Sequence, residues 1–192
     1  MSSPLDPVTW PVRTDRLEIS RAVAGDAATT WPFRRLPEVT EWMTAAPATL
    51  AEYAARFTAP PRLDKTLVVR LDGTVVGDLM LAVEDGWAQV EVADRAREVQ
   101  AEIGWCLDPA YQGRGLATEA VAALLAVCFE GLGLRRVTAN CFADNVASWR
   151  LMERLGMRRE THTRQESLHR SGRWLDGLGY ALLAEEWRGG RH

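Results

Sequence analysis

The stretch Gln112-Gly113-Arg114-Gly115-Leu116-Ala117 has the residue types and spacing that point most directly to chemistry. It sits between an alternating apolar stretch and a helix-periodic one. Glycines here let the backbone take φ > 0 and come close to a ligand. The helix behind them would aim its unpaired N–H groups and positive dipole end at the same spot, which makes a ready anion site. A pyrophosphate fits such a place, and Arg114 can add a charge-assisted contact. The plainer reading is a glycine turn that merely starts a helix. No Gly-Lys-Ser/Thr follows, so this is not a Walker loop. It also matches the dinucleotide fingerprint poorly, because the third glycine is missing and no acid ends a second parallel strand at the expected place.

The elements around this loop follow from periodicity and turn signals. Residues 1–13 carry three prolines and read as a loose N-terminal arm. Leu17, Ile19 and Arg21 alternate in a short strand. Residues 25–57 read as mainly helical, broken at Pro32, Pro37 and Pro47. Thr66 to Leu71 and Thr74 to Val83 are β-branched runs joined by Asp72-Gly73, a strong hairpin signal. Residues 84–98 are charged and read as a solvated loop or extended arm. Glu102 to Leu107 is a strand with Ile103, Trp105 and Leu107 on one face. After the loop at 108–114, Ala117, Ala120, Val121, Leu124, Leu125 and Cys128 repeat at helical spacing until Gly131 and Gly133 stop them. Arg136 to Phe142 alternates as a strand. Asn145 caps a helix whose inner face is Ser148, Leu151, Met152 and Leu155, and Gly156 ends it. A hairpin-like stretch at 158–174 and a last strand, Leu178 to Leu183, complete the order. This is an α/β fold, with one domain over 14–187 and a tail at 188–192.

Composition narrows the function classes. The chain has 192 residues, 47% hydrophobic and 26% charged, which suits one soluble globular domain. A net charge of −3 gives no reason to propose nucleic acid as a partner. No apolar run approaches the ~20 residues that span a bilayer, so no membrane is expected. The N-terminus lacks a basic region and an apolar region, so it does not read as a signal peptide. Cys106, Cys128 and Cys141 are odd in number, without metal spacing, so neither a disulfide framework nor a metal is expected, and a cytoplasmic setting is.

Read together, Glu102-Ile103-Gly104-Trp105, Asp108-Pro109 and Gln112-Gly113-Arg114-Gly115-Leu116-Ala117-Thr118-Glu119-Ala120 closely resemble motif A of the GNAT superfamily of acyl-CoA-dependent N-acyltransferases. Asn145-x-x-Ser148-x-x-Leu151-x-Glu153-x-x-Gly156-Met157 resembles the segment that follows it. Thr14-Asp15-Arg16-Leu17, Gly172-x-Trp174-x-Asp176, Tyr180-x-Leu182 and Glu186-Trp187 look like the branch that acetylates ribosomal-protein N-termini. The resemblance covers about residues 14–187 and is most specific in 102–157. It implies a mixed, mostly antiparallel central sheet, splayed at an acetyl-CoA site and flanked by helices. It also implies roles. Backbone N–H groups of Gln112, Gly113, Arg114, Gly115, Leu116 and Ala117, with Thr118 beside them, would hold the pyrophosphate. Trp105, Cys106 and Leu107 would pair with the pantetheine arm, and Asn145 would contact it from the next strand's exit.

Amine acylation needs a base for the ammonium proton and help for the leaving thiolate. Glu166 stands near where similar enzymes place an acid, and Asp176 is second; the alternative for either is a surface carboxylate paired with Arg164, Arg170 or Arg173. Many superfamily members carry a tyrosine where this chain has Met152, which has no proton to give. Helical spacing puts Ser148 one turn earlier on the same face, where its hydroxyl could serve the sulfur; alternatively it only caps the helix. His162 and His169 read as solvated hairpin histidines. Six arginines against two glutamates in 154–173 could grip a CoA phosphate or an acidic substrate, or simply face solvent. Trp31 and Trp42 could line an acceptor pocket. The expected acceptor is an amine, either a protein N-terminus or a small molecule; the alternative is a non-catalytic acyl-CoA-binding module. A homodimer stays open.

Overall fold

The computed structural model describes residues 3–189; residues 1–2 of the arm and 190–192 of the tail lie outside it. Eight strands form one sheet in the order β1-β2-β3-β4-β5-β6-β8-β7. They are β1 (Val12–Arg13), β2 (Leu17–Arg21), β3 (Thr66–Leu71), β4 (Thr74–Glu84), β5 (Gln100–Leu107), β6 (Arg136–Phe142), β7 (Arg158–Leu168) and β8 (Trp174–Leu183). The helices are α1 (Asp26–Arg34), α2 (Pro37–Thr40), α3 (Leu50–Phe57), α4 (Pro60–Leu63), α5 (Leu116–Ala126), α6 (Val146–Arg154) and α7 (Ala184–Gly189). Pairs β1–β2, β2–β3, β3–β4, β6–β8 and β7–β8 are antiparallel, and β5–β6 is parallel. The chain packs as two compact units, and β4 and β5 pass through both.

One unit holds Thr9–Leu81 and Trp105–Ala123. Its hairpin turns at Asp72 and Gly73, both at positive φ (49° and 79°), the pairing a type I′ turn requires. Leu17, Ile19, Leu67, Val68, Val69, Val76 and Leu79 are buried along β2–β4. Thr49 caps α3 by accepting from the Glu52 N–H, while Glu52 reaches back to the Ala48 N–H. Pro32 does not break α1 as the sequence suggests. It lies inside the helix, in its last turn, and the helix runs on to Arg34 with Arg35 as its C-cap. Pro37 and Pro60 instead start α2 and α4, where a missing N–H removes no helical bond. Two of this unit's ion pairs are built on buried carboxylates, Asp78 and Asp26. Arg34 grips Asp78 bidentately, with side chains 11% and 4% exposed, and Arg70 meets Asp26 at 2.7 Å. The guanidinium of Arg34 works against burial, yet the Asp78 carboxylate holds its pKa above the ordinary arginine value.

Of the described residues, the other unit holds 3–8, Ala82–Gly104 and 124–189. The arm is anchored: Leu5 is buried and the Val8 N–H donates to the Leu5 carbonyl. Residues 85–99 stay solvent-facing around a short 3₁₀ helix, Val90–Ala96, with Trp87 and Val90 exposed. The parallel pairing of β5 and β6 is short. Register pairs run from Gln100↔Arg136 to Glu102↔Thr138 and stop, although β5 continues to Leu107 and β6 to Phe142. The last strand starts at Trp174, earlier than its glycines suggest. Gly177 and Gly179 sit inside β8 because a Cβ there would come within 2.7 Å of Thr163 Oγ1 and 2.4 Å of Thr161 Oγ1 on β7. Tyr180 is buried and donates to Glu153 on α6 at 2.9 Å.

On β7, Glu160 accepts from both Arg136 and Arg158. These guanidinium groups, Arg136 foremost, hold its carboxyl at about 2, against an ordinary 4.5. A depressed carboxyl contributes stability above the unfolded pKa and loses it as pH falls through the folded one. Glu160→Gln should therefore lower stability by about 0.5–1 kcal/mol near neutral pH. It should also flatten the loss of stability from about pH 4.5 toward about pH 2. Urea midpoints of both proteins across that range check it, and parallel curves would contradict it.

Candidate functional site

In the unit containing Thr9–Leu81 and Trp105–Ala123, the loop before α5 is built from local hydrogen bonds. Asp108 caps a short turn by accepting from the Ala110 N–H at 2.9 Å, and the Gln112 N–H closes on the Pro109 carbonyl. Gly113 and Gly115 then take φ of 73° and 76°, which side chains rarely adopt. A Cβ at Gly113 would meet nothing within 4 Å, and one at Gly115 would meet only Arg16 Nη2 at 3.7 Å. Packing therefore leaves open space beside both glycines. Gln112, Gly113, Arg114 and Gly115 are exposed, Leu116 is buried, and the Glu119 N–H closes the first turn on the Gly115 carbonyl. The N–H groups ahead of that bond, including those of Ala117 and Thr118, have no partner within the helix. This arrangement can receive an anion.

A carboxylate in the first turn of such a helix would fold back onto those N–H groups or repel an anion. Glu119 is kept from doing so. Its carboxylate accepts from Thr14 Oγ1 at 2.5 Å and from the Arg16 backbone N–H at 3.0 Å, and Arg16 pairs with it at 2.5 Å through Nη2. Burial would raise the Glu119 carboxyl, but these bonds hold it below the usual range. Arg16 also donates to the Arg114 carbonyl at 2.9 Å, so it ties the loop itself. In sequence Thr14-Asp15-Arg16-Leu17 is only a mark of resemblance; its positioning role comes from a contact across about a hundred residues of chain.

The end of β5 lies in the same unit. Cys106 and Leu107 are buried and Trp105 is half-buried, so the end of β5 is covered on both faces, that of Ile103, Trp105 and Leu107 and that of Cys106. A Cβ at Gly77 would come within 2.6 Å of the Cys106 carbonyl, so glycine lets β4 approach the strand closely there. Burial pushes the Cys106 thiol up to about 12, which keeps it protonated. Trp31 tilts against Tyr53 at 5.4 Å within a cluster holding Ala27 and Phe57. Trp42 lies half-buried in the turn after α2.

In the second unit, Asn145 caps α6 by accepting from the Ser148 N–H at 3.2 Å. The cap is thus Asn145; burial pushes the Cys141 thiol on β6 up to about 11, and the Ser148 side chain near it pulls it down. Met152 is buried. The exit of β6 meets β8 at Phe142↔Gly177, and the Ala143 N–H donates to the Asp176 carbonyl. β7 bulges between Thr163 and Ser167, with Gln165 at φ 46°. That bulge sets Glu166 Oε2 3.4 Å from where a Gly177 Cβ would stand. Asp176 is engaged: it accepts from the Gln165 N–H at 2.9 Å and meets His162 Nε2 at 2.8 Å. The Gln165 N–H, with His162, lowers the Asp176 carboxyl below its ordinary range. Among the described residues, no hydrogen bond or ion pair holds the Glu166 carboxylate. His169 lies edge-on to Phe142 at 5.5 Å. Of the arginines in 154–173, Arg158 is paired with Glu160 and Glu186.

Residues 16–158 match the acetyltransferase (GNAT) domain, well over half of the chain, and the chain belongs to that family. It is 41% identical over 86 residues to the uncharacterized N-acetyltransferase YnaD of Bacillus subtilis, covering 45% of this chain and 50% of that one. It is 30% identical over 89 residues to the [ribosomal protein uS5]-alanine N-acetyltransferase of Escherichia coli, covering 46% and 45%. The matches therefore span about half the length of these curated relatives. Among solved structures, RimJ of Mycobacterium smegmatis in complex with CoA-disulfide superposes with a TM-score of 0.72 at 25% identity, covering 92% of this chain and 90% of that one. No described helix is long and apolar enough to cross a membrane.

The Arg16–Glu119 pair should govern the anion affinity of the loop. Arg16→Leu leaves an unpaired carboxylate beside it and should weaken inorganic pyrophosphate binding about fivefold, the scale of one partly exposed charge pair. Adding Glu119→Gln should restore it. Titration calorimetry of the single and double variants checks this, and equal affinities would remove the electrostatic role.

Proposed function

We propose that this protein transfers an acetyl group from acetyl-CoA to a primary amine by direct attack on the thioester. The observation that carries the reading is the glycine loop at the start of α5, whose positive-φ glycines face open space and whose helix-start N–H groups lack intrahelical partners. Its membership of the acetyltransferase family and its likeness to a fold solved with a CoA disulfide support it. In this reading Gln112 to Ala117, with Thr118, hold the pyrophosphate, Trp105 to Leu107 pair with the pantetheine arm, and Asn145 contacts it. A protein N-terminus is the proposed acceptor, supported by the similarity to the uS5-alanine enzyme.

The chemistry assigns the remaining residues. The amine nitrogen forms a bond to the thioester carbonyl carbon, the C–S bond breaks, and sulfur leaves as a thiolate. The proton lost by nitrogen goes to a base, and the sulfur gains one. Glu166 suits the base better than Asp176: Asp176 is already bonded by His162 and Gln165, and its lowered carboxyl pKa makes it a weak proton acceptor. Ser148 serves the leaving sulfur. The nearby Cys141 thiol is held neutral by burial, so no neighbouring charge there competes for the hydroxyl.

Release of CoA from acetyl-CoA, measured against N-terminal peptides and small amines, tests the activity directly. Gly115→Val should abolish acetyl-CoA binding, because the side chain enters the space proposed for the phosphates and strains the backbone. Gly115→Asn tolerates positive φ, so a loss of at least about tenfold there separates crowding from strain. If Gly115→Asn and wild type bind acetyl-CoA equally by calorimetry, the loop does not hold it.

Ser148→Ala should cut kcat roughly ten- to a hundredfold, the size of one transition-state hydrogen bond, with little change in the KM for acetyl-CoA. Wild-type turnover would mean that the sulfur leaves without this hydroxyl.

A further inference from the structure

The unit that carries the glycine loop also holds a small cavity, lined by Arg34, Met43, Pro47, Tyr53, Arg56 and Arg62 among others. Its volume is about 30 Å³, room for roughly one or two water-sized groups. Three of its lining residues are cations, whose charges are not balanced alike. Asp78 accepts from Nε and Nη2 along one edge of the Arg34 guanidinium, and Arg34 donates its remaining Nη1 to Met43 Sδ at 2.7 Å. Among the described residues, no carboxylate pairs with Arg56 or Arg62. The Nε of Arg62 is buried with no hydrogen-bond partner. An unmet buried donor of a charged group is a standing cost. Burial and the neighbouring Arg34 charge both work against the Arg62 cation, which is the field an anion would answer.

The place of the cavity matters as much as its charge. Arg34 ends α1, and Met43, which lines the cavity, packs on the cluster of Phe33, Val39 and Cys106. Cys106 belongs to the segment of β5 proposed to carry the pantetheine arm. Met43 thus joins the cavity wall to the cluster that holds Cys106. The planar guanidinium fork matches a carboxylate, and the cavity is the size of such a head group rather than of a whole ligand.

We infer that this cavity is a carboxylate subsite of the amine acceptor, with Arg62 as its main contact and Arg56 at its rim. The inference rests on the acetyltransferase reading for its place in catalysis, not for its existence as an anion site. The carboxylate has two chemical sources, the α-carboxylate of a free amino acid or an acidic side chain next to the reacting amine of a peptide.

Matched probes separate them: L-alanine against L-alaninamide, and Ala-Glu-amide against Ala-Gln-amide, at equal ionic strength with CoA present. The Nε–H resonance of Arg62, assigned by its loss in Arg62→Met, should shift saturably with the acid of one pair and not with its neutral twin. In turnover, the same acid should be preferred by about ten- to a hundredfold in kcat/KM, the range of a charge-assisted hydrogen bond. Arg62→Met should erase the preference while leaving the KM for acetyl-CoA unchanged, and Arg62→Lys should keep part of it. A response to the first pair alone assigns a free amino acid; to the second alone, an acidic peptide. A saturable shift without acetylation of either acid upholds the subsite and counts against the acetyl-transfer reading. If neither acid moves the resonance more than its twin, the subsite does not exist.

Discussion

The arrangement around α5 depends on one carboxylate being held out of the way. A helix start that is to receive an anion must keep its N–H groups unspent and its surroundings free of negative charge. Glu119 stands in the first turn of that helix and threatens both conditions. Thr14 and Arg16 remove the threat by taking its oxygens and its charge, and Arg16 adds a bond to the Arg114 carbonyl inside the loop. The short segment before β2 thus acts on a loop far along the chain. The positive-φ glycines complete the condition, since they turn the backbone without placing side chains in the space beside it.

The same logic of close approach recurs where strands meet. Gly77 lets β4 come up to the Cys106 carbonyl, and Gly177 and Gly179 let β8 lie under the threonines of β7. In the second unit this packing brings the bulged part of β7, with Glu166, to the end of β6 at Phe142. The bulge matters because an extra residue in one strand re-aims a side chain. His162 and Gln165 bind Asp176 and so divide the two carboxylates into one that is engaged and one that is not.

Charge is distributed by a different rule in the helical part, α1 to α4. Arg34 and Asp78 form a nearly dry bidentate pair, and removing either partner would leave a buried charge unmatched. Arg62 beside them has a buried nitrogen with no acceptor. A structural ion pair and an unsatisfied cation in one small cavity make this region a recognition surface as well as a packed one.

Much of the architecture was legible in local sequence. The Asp72-Gly73 turn, the Asn145 cap and the glycine loop depend on the conformational range or hydrogen-bonding reach of single residues, which neighbours along the chain do not change. So was the inner face of α6, because helical spacing fixes which residues share a side. The family could be read from the motif around Gly113 and Gly115 for the same reason. Other features could not be read locally. Pro32 was tolerated inside α1, and glycines that look like breaks proved to be packing requirements of a partner strand. The tie from Arg16 to Glu119 crosses about a hundred residues, and the nearness of Ser148 to Cys141, the division between Glu166 and Asp176 and the unmet Nε of Arg62 rest on how separate elements pack. Their chemistry depends on distances between elements, and only the tertiary structure decides those.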